Sequence, residues 1–258
     1  MLFMKRLAPR LLMCVVVLFT TRMVAEAQEP APSAASILQQ MTAAYAAVQS
    51  YSDNSFAKYR NSDGSERLDV AFRIWMARPH GFRVDAQNRR PDGTAGRREV
   101  MWTDGSAVRT WSTGKAVATR AKVQLAGSGM FGTYAYHVPT MIEPEYGASR
   151  RLADLSSPTV TGEEVFEGTD CYRVRGDWQG DTYEVWIGKS DHLVRKIFAT
   201  YADHQLEEIH REIAINEPIA LGTFRFAPEI EAASSTAPPR ASPPATPTPS
   251  PSSKKSKR

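Results

Sequence analysis

The sequence predicts a mainly β, α+β fold: one antiparallel sheet, covered on a single face by an N-terminal helix and a few short helices. Three observations carry this. Beyond about Tyr51 the large apolar residues recur with period two, the pattern of a half-buried strand. The alternating runs are divided by short turns rich in Gly, Pro and Asp. Helical spacing is sustained in one segment, from about Ala35 to Ser50.

The chain opens with Lys5, Arg6 and Arg10, an apolar run from Leu11 to Phe19, and a small-residue exit at Ala25-Glu26-Ala27. These are the three parts of a secretory signal, so residues 1–27 are expected to be removed after export to the periplasm. A retained anchor is the alternative, but Arg22 interrupts the run before the roughly 20 residues that span a bilayer. Cys14 follows Leu11-Leu12-Met13 and lacks the small-residue box of a lipid attachment site, so the exported protein is expected to be soluble. Cys171 is then left without a partner for a disulfide, in a strand-like run where a small buried or edge residue is expected.

In the first helix Ile37, Met41, Ala44, Tyr45 and Val48 share a face, and Ser33 can cap the start. Val70, Phe72, Ile74 and Met76 then alternate with Asp69, Ala71, Arg73 and Trp75, and Pro79-His80-Gly81 turns the chain into Phe82 to Asp85. A second hairpin runs from Val100 through Asp104-Gly105 to Trp111. The stretch from Gly127 to Tyr146 mixes Gly, Met, Pro and aromatics, and short helices and loops are expected across one sheet face. Strands follow at Tyr172–Arg175, Thr182–Ile187, Leu193–Thr200 and Leu206–Asn216, most economically paired in sequence. From Ala232 to Arg258 the chain becomes an Ala, Ser, Thr and Pro tract ending in Lys254, Lys255, Lys257 and Arg258, a composition that stays disordered. The folded domain is therefore expected over residues 28–231.

Of the formal net charge of +4, the signal contributes +3 and the tail +5, so the domain between them carries −4. The basic character belongs to the ends, which excludes a basic nucleic-acid-binding core. The tail is suited to contact anionic envelope polymers, or to act simply as a solubilising terminus.

Ile74-Trp75-Met76-Ala77-Arg78-Pro79 followed by Phe82 resembles a stretch of the LolA-like periplasmic lipoprotein-carrier superfamily. Thr103-Asp104-Gly105 before Val108 and Trp111 resembles its Asp-Gly hairpin, and Phe224-Arg225-Phe226-Ala227-Pro228 its closing Phe-x-Phe-x-Pro. Their order spans Ala35 to Pro228 and suggests a predicted-periplasmic branch of that superfamily. The resemblance implies an incomplete antiparallel β-barrel, a half-barrel, whose concave apolar face is lidded by helices. It also implies a carrier for lipid or acyl chains, including an acylated protein, with membrane or envelope proteins as partners. Arg78 stands where that family places an arginine that latches the lid; an arginine held at a strand end by a surface carboxylate is the alternative. Phe72, Ile74, Met76, Phe82, Val84, Met101, Trp111, Val185 and Ile197, with Met130 and Phe131 in the lid, are expected to line the ligand space. The alternative function is an envelope interaction or stress-sensor module of the same shape.

Catalysis is not expected. The five histidines, His80, His137, His192, His204 and His210, show no paired metal-ligand spacing. Glu208, His210 and Glu212 alternate on one strand face, which reads as solvated rather than as a metal site. The chain lacks a Gly-x-Ser-x-Gly elbow and a phosphate loop. The adjacent acids Glu163-Glu164 and Glu207-Glu208 point to opposite faces, so neither pair forms a shared acid-base site. No cofactor and no metal are expected.

Overall fold

Eleven strands in one antiparallel sheet make up most of the computed structural model, which describes residues 31–121, 123, 134–147 and 151–228. The expected signal (1–27) and tail (232–258), together with Met130 and Phe131, lie outside the described residues. The described elements belong to a unit that begins at Ser33.

Helix α1 (Ala34–Ala47) starts where Ser33 accepts a hydrogen bond from the Ser36 N–H at 3.2 Å. It buries Ile37, Leu38, Met41 and Tyr45. The helix stops three residues short of the expected Ser50, because the chain turns extended at Val48 to enter the first strand.

The first meander comprises β1 (Ser50–Asn61), β2 (Glu66–Ala77), β3 (Gly81–Arg89), β4 (Ala95–Asp104), β5 (Val108–Ser112) and β6 (Ala118–Arg120), each paired with the next. The β2–β3 hairpin forms at Arg78–His80, and the Asp104-Gly105 turn leads to β5 with Gly105 at φ +94°. Gly81, at the start of β3, is required by packing: a Cβ there would sit 2.8 Å from the Phe224 ring.

Between the meanders lies α2 (His137–Ile142), every residue of which is buried, followed by 3₁₀ turns at Pro144–Gly147 and Leu152–Asp154. The second meander is β7 (Ser156–Phe166), β8 (Thr169–Trp178), β9 (Asp181–Gly188), β10 (Val194–Thr200) and β11 (His204–Ile215). The two meanders join through the pairing of β1 with β11, so the first and last strands are neighbours at the centre and β6 and β7 form the edges. The sheet is open, a half-barrel rather than a closed barrel. A 3₁₀ turn at Leu221–Phe224 returns the chain to β3 and β4.

Alternation sorts the side chains by face. Val70, Phe72, Ile74 and Met76 of β2 enter the core beneath α1 and α2, while Ala71, Arg73 and Trp75 point the other way. The half-barrel thus has a covered apolar face and an open face. Among the described residues, no helix is long and apolar enough to cross a membrane.

Candidate functional site

The covered face brings together eight of the residues singled out from sequence. Phe72, Ile74 and Met76 of β2, Phe82 and Val84 of β3, Met101 of β4, Val185 of β9 and Ile197 of β10 lie in one buried cluster with the apolar sides of α1 and α2. Their side chains pack against the cover: Phe72 meets Tyr134 at 5.3 Å between ring centroids, and Phe82 meets Tyr146 at 5.2 Å. A void of about 10 Å³ remains where Met76, Arg78, Ile142 and Tyr146 converge, about the size of one water.

Trp111 does not join them. Val100 pairs with Trp111 across β4 and β5, and Val100 faces away from the core that contains Met101. Trp111 therefore projects from the open face and packs against Phe226 at 5.3 Å. Parity within β5 carried that signal, because Val108 packs against the core and Trp111 is three residues on.

Arg78 leaves the end of β2 and reaches the C-terminal ends of two helices. Its Nε donates to the Val48 carbonyl at 2.7 Å, and its Nη2 donates to the carbonyls of Ile142 at 2.7 Å and Ala46 at 3.4 Å. Its Nη1 lies 3.2 Å from Glu143 Oε1. The carbonyls belong to the C-terminal ends of α1 and α2, groups that a helix leaves without internal partners. One planar guanidinium thus pins both covering helices to the sheet. On the far side, the Val194 N–H of β10 donates to the buried Tyr45 hydroxyl of α1 at 3.0 Å.

A second polar arrangement crosses the covered face where β1 meets β11. Ser55 pairs with His210, and Ala57 with Glu208, across these central strands. His210 Nδ1 lies 2.7 Å from Asp53 Oδ2 and 2.9 Å from Ser55 Oγ. Its Nε2 lies 2.9 Å from Glu208 Oε1, at ion-pair distance although not aligned as a hydrogen bond. Glu208 Oε2 in turn lies 2.7 Å from His137 Nδ1 on α2. Asp53 also accepts from the Tyr51 hydroxyl at 2.8 Å and from the Ile74 N–H at 3.2 Å. All of these side chains are buried.

The charges in this seam hold one another. Burial raises the Glu208 pKa, but His137 and His210 outweigh it and keep the carboxylate below its ordinary range. For His210, burial disfavours the imidazolium, yet the hydrogen bonds and charges of Asp53 and Glu208 prevail and push the pKa up to about 9. The expectation of a solvated Glu208, His210 and Glu212 face is therefore corrected. Glu208 and His210 point into the core. Glu212, at φ +50° beside a register shift between β1 and β11, is thrown outward, where it accepts from Asn54.

The presence of Ser55, His210 and Asp53 does not make a hydrolytic triad. A triad places the acid and the nucleophile on opposite ring nitrogens, whereas here both meet Nδ1. Among the described residues, no three His, Cys, Asp or Glu side chains are arranged to hold a metal. Cys171 is buried, and burial raises its thiol pKa, which is opposite to nucleophile activation.

Residues 145–234, covering the second meander and the closing turn, match the model of a family described as a predicted periplasmic protein, DUF2092. No curated protein matches the chain. Among solved structures it is similar to LprF from Mycobacterium bovis, at 11% identity over 73% of this chain and 95% of that one, with a TM-score of 0.46. It is also similar to the lipoprotein LppX from Mycobacterium tuberculosis, at 13% identity over 73% and 97%, with a TM-score of 0.42. A LolA superfamily protein from Nitrosomonas europaea is similar at 11% identity over 76% and 99%, with a TM-score of 0.37.

Proposed function

We propose that this protein is a periplasmic, non-catalytic carrier or binding protein for a hydrophobic ligand, lipid or acyl chains, taken up between the sheet and its helices. The observation that carries the reading is Arg78. A large apolar wall is covered by two helices whose ends are tied to the sheet by one side chain at the margin.

A carrier of this kind must hide its wall from water when empty, since exposed apolar surface costs about 25 cal/mol per Å². Side chains from α1 and α2 do this, and an acyl chain entering the face would replace them. Opening requires the Arg78 bonds to break, together with the contact between His137 on α2 and Glu208 on β11. Both are polar contacts that an incoming apolar chain cannot replace, so they set a threshold for opening. A cargo with acyl chains of its own, such as an acylated protein, suits the same wall; a membrane or envelope protein would supply it.

The test is lipid capture. Purified protein lacking residues 1–27, incubated with lipid vesicles and examined by native mass spectrometry, should carry bound lipid. Arg78→Met, which keeps the bulk of the stem but loses the donors, should load at least several-fold faster. If neither the wild type nor the variant acquires lipid, the carrier reading fails.

A further inference from the structure

The open face carries a groove of about 820 Å³ over β11, β1, β2, β3 and β4, within the size range of small-molecule sites. Its depth comes from one small residue. In the strand ladders Ala71 lies between Phe56 on β1 and Gln87 on β3, and its neighbours on the same face of β2 are Arg73 and Asp69. Long side chains thus ring a short one, and the floor is backbone and methyl.

The ring is rich in guanidinium. Asp85 holds Arg83 at 2.7 Å and Arg98 at 2.6 Å, and Glu167 holds Arg211 at 2.8 Å. Arg73 and Arg89 differ: they rest on aromatic faces, 4.6 Å from the Trp75 centroid and 5.1 Å from that of Phe56. Neither has an ion-pair partner among the described residues. Asp69, opposite Arg89 in the ladder, faces Lys58 at 3.7 Å. Glu212 also lines the groove and accepts from Asn54. With that carboxylate counted, the lining remains positive. A guanidinium resting over a ring keeps its N–H edge available, which suits two-point binding of an oxyanion.

We propose that this groove is a binding site for a phosphomonoester, seated over Ala71 between Arg73 and Arg89. Such a group carries about −1.5 to −2 charges at neutral pH, which matches two unengaged guanidiniums better than a carboxylate or a phosphodiester does. The site is on the opposite side of the sheet from the covered face, so it stands whether or not that face carries lipid. The phosphomonoester belongs either to a soluble compound or to a lipid headgroup, and the two arms of the test distinguish these sources.

Protein lacking residues 1–27 is titrated calorimetrically with phenyl phosphate, and its retention is measured on phosphatidylcholine vesicles with and without phosphatidic acid. The wild type should bind phenyl phosphate, and Arg73→Gln with Arg89→Gln should weaken binding at least tenfold. Ala71→Phe, which fills the floor and leaves the charge intact, should weaken it comparably. Arg60→Gln with Arg67→Gln removes the same charge from positions outside the groove and should change affinity less than twofold. Retention on phosphatidic acid vesicles that phenyl phosphate competes away marks a headgroup as the source; binding of phenyl phosphate without vesicle retention marks a soluble ligand. Absence of binding to both probes overturns the proposal. So does an equal loss in the Arg60 and Arg67 variant, which would reduce the effect to diffuse charge.

Discussion

The two faces of the sheet use the same ionisable residue types in opposite ways. On the open face, Arg98 shares Asp85 with the more deeply set Arg83, and Arg173 meets Glu184; aromatic rings lie against these guanidiniums, and Arg98 and Arg173 are each about a third exposed to water. On the covered face, Asp53, His210, Glu208 and His137 lie in a dry seam where each polar group has little besides its neighbours to stabilise it. The difference is one of dielectric surroundings. Open pairs can lose a partner to water, whereas a buried chain of charges fails as a unit.

The largest expected effect therefore comes from removing one member of the seam. Glu208→Ala leaves His210 and His137 facing a cavity without their shared carboxylate. It should cost about 3–5 kcal/mol of unfolding free energy, the range for breaking a buried pair from one side, as read from urea denaturation followed by tryptophan fluorescence. A loss below about 1 kcal/mol would show that the seam behaves like the open face.

A smaller effect follows from pH. The folded pKa of His210 lies above its ordinary 6.5, so its stabilising contribution is whole below pH 6.5, declines as pH rises and is gone above about 9. Glu208 has the opposite sign. Its folded pKa lies below the ordinary 4.5, so its contribution is present above pH 4.5 and is lost as pH falls through the folded value. The seam is thus strongest between about pH 4.5 and 6.5. Urea midpoints measured at pH 6 and pH 9 should fall with rising pH in the wild type. A flat profile over that interval would place His210 with the uncharged residues of the core.

These contrasts also explain what was legible in the sequence. The second strand was readable because Val70, Phe72, Ile74 and Met76 are large and apolar on one parity, while the other is broken by Asp69 and Arg73. β1 gave no such signal, since its inward parity runs Tyr51, Asp53, Ser55, Ala57, Tyr59. β7 is an edge strand with mostly exposed residues, including Val160 and Val165, so burial imposed little pattern on it. Glu208 and His210 sit among Glu207, Arg211 and Glu212, which made a solvated face the natural reading. Only the pairing of β1 with β11 brings Asp53 to His210, 157 positions away. Arg78 stood out through the Trp-Met-Ala-Arg-Pro stretch, but the carbonyls it meets on α1 and α2 depend on where those helices end.

The smallest expected effect tests the open face directly. Arg173 on β8 lies 2.8 Å from Glu184, and its guanidinium sits 5.2 Å from the Trp186 centroid, while Trp186 Nε1 donates to Glu164 at 3.0 Å. Each contact is geometrically sound, yet Arg173 is a third exposed, so water solvates Glu184 when the guanidinium is gone. Lys196, 4.8 Å from the same ring centroid and 2.7 Å from Glu207, maintains a cation over Trp186 in its absence. Arg173→Gln should therefore cost less than about 1 kcal/mol, with a loss that shrinks further in 0.5 M salt. A loss approaching that of Glu208→Ala, insensitive to salt, would mean that the open face is dry as well and that exposure does not separate the two faces.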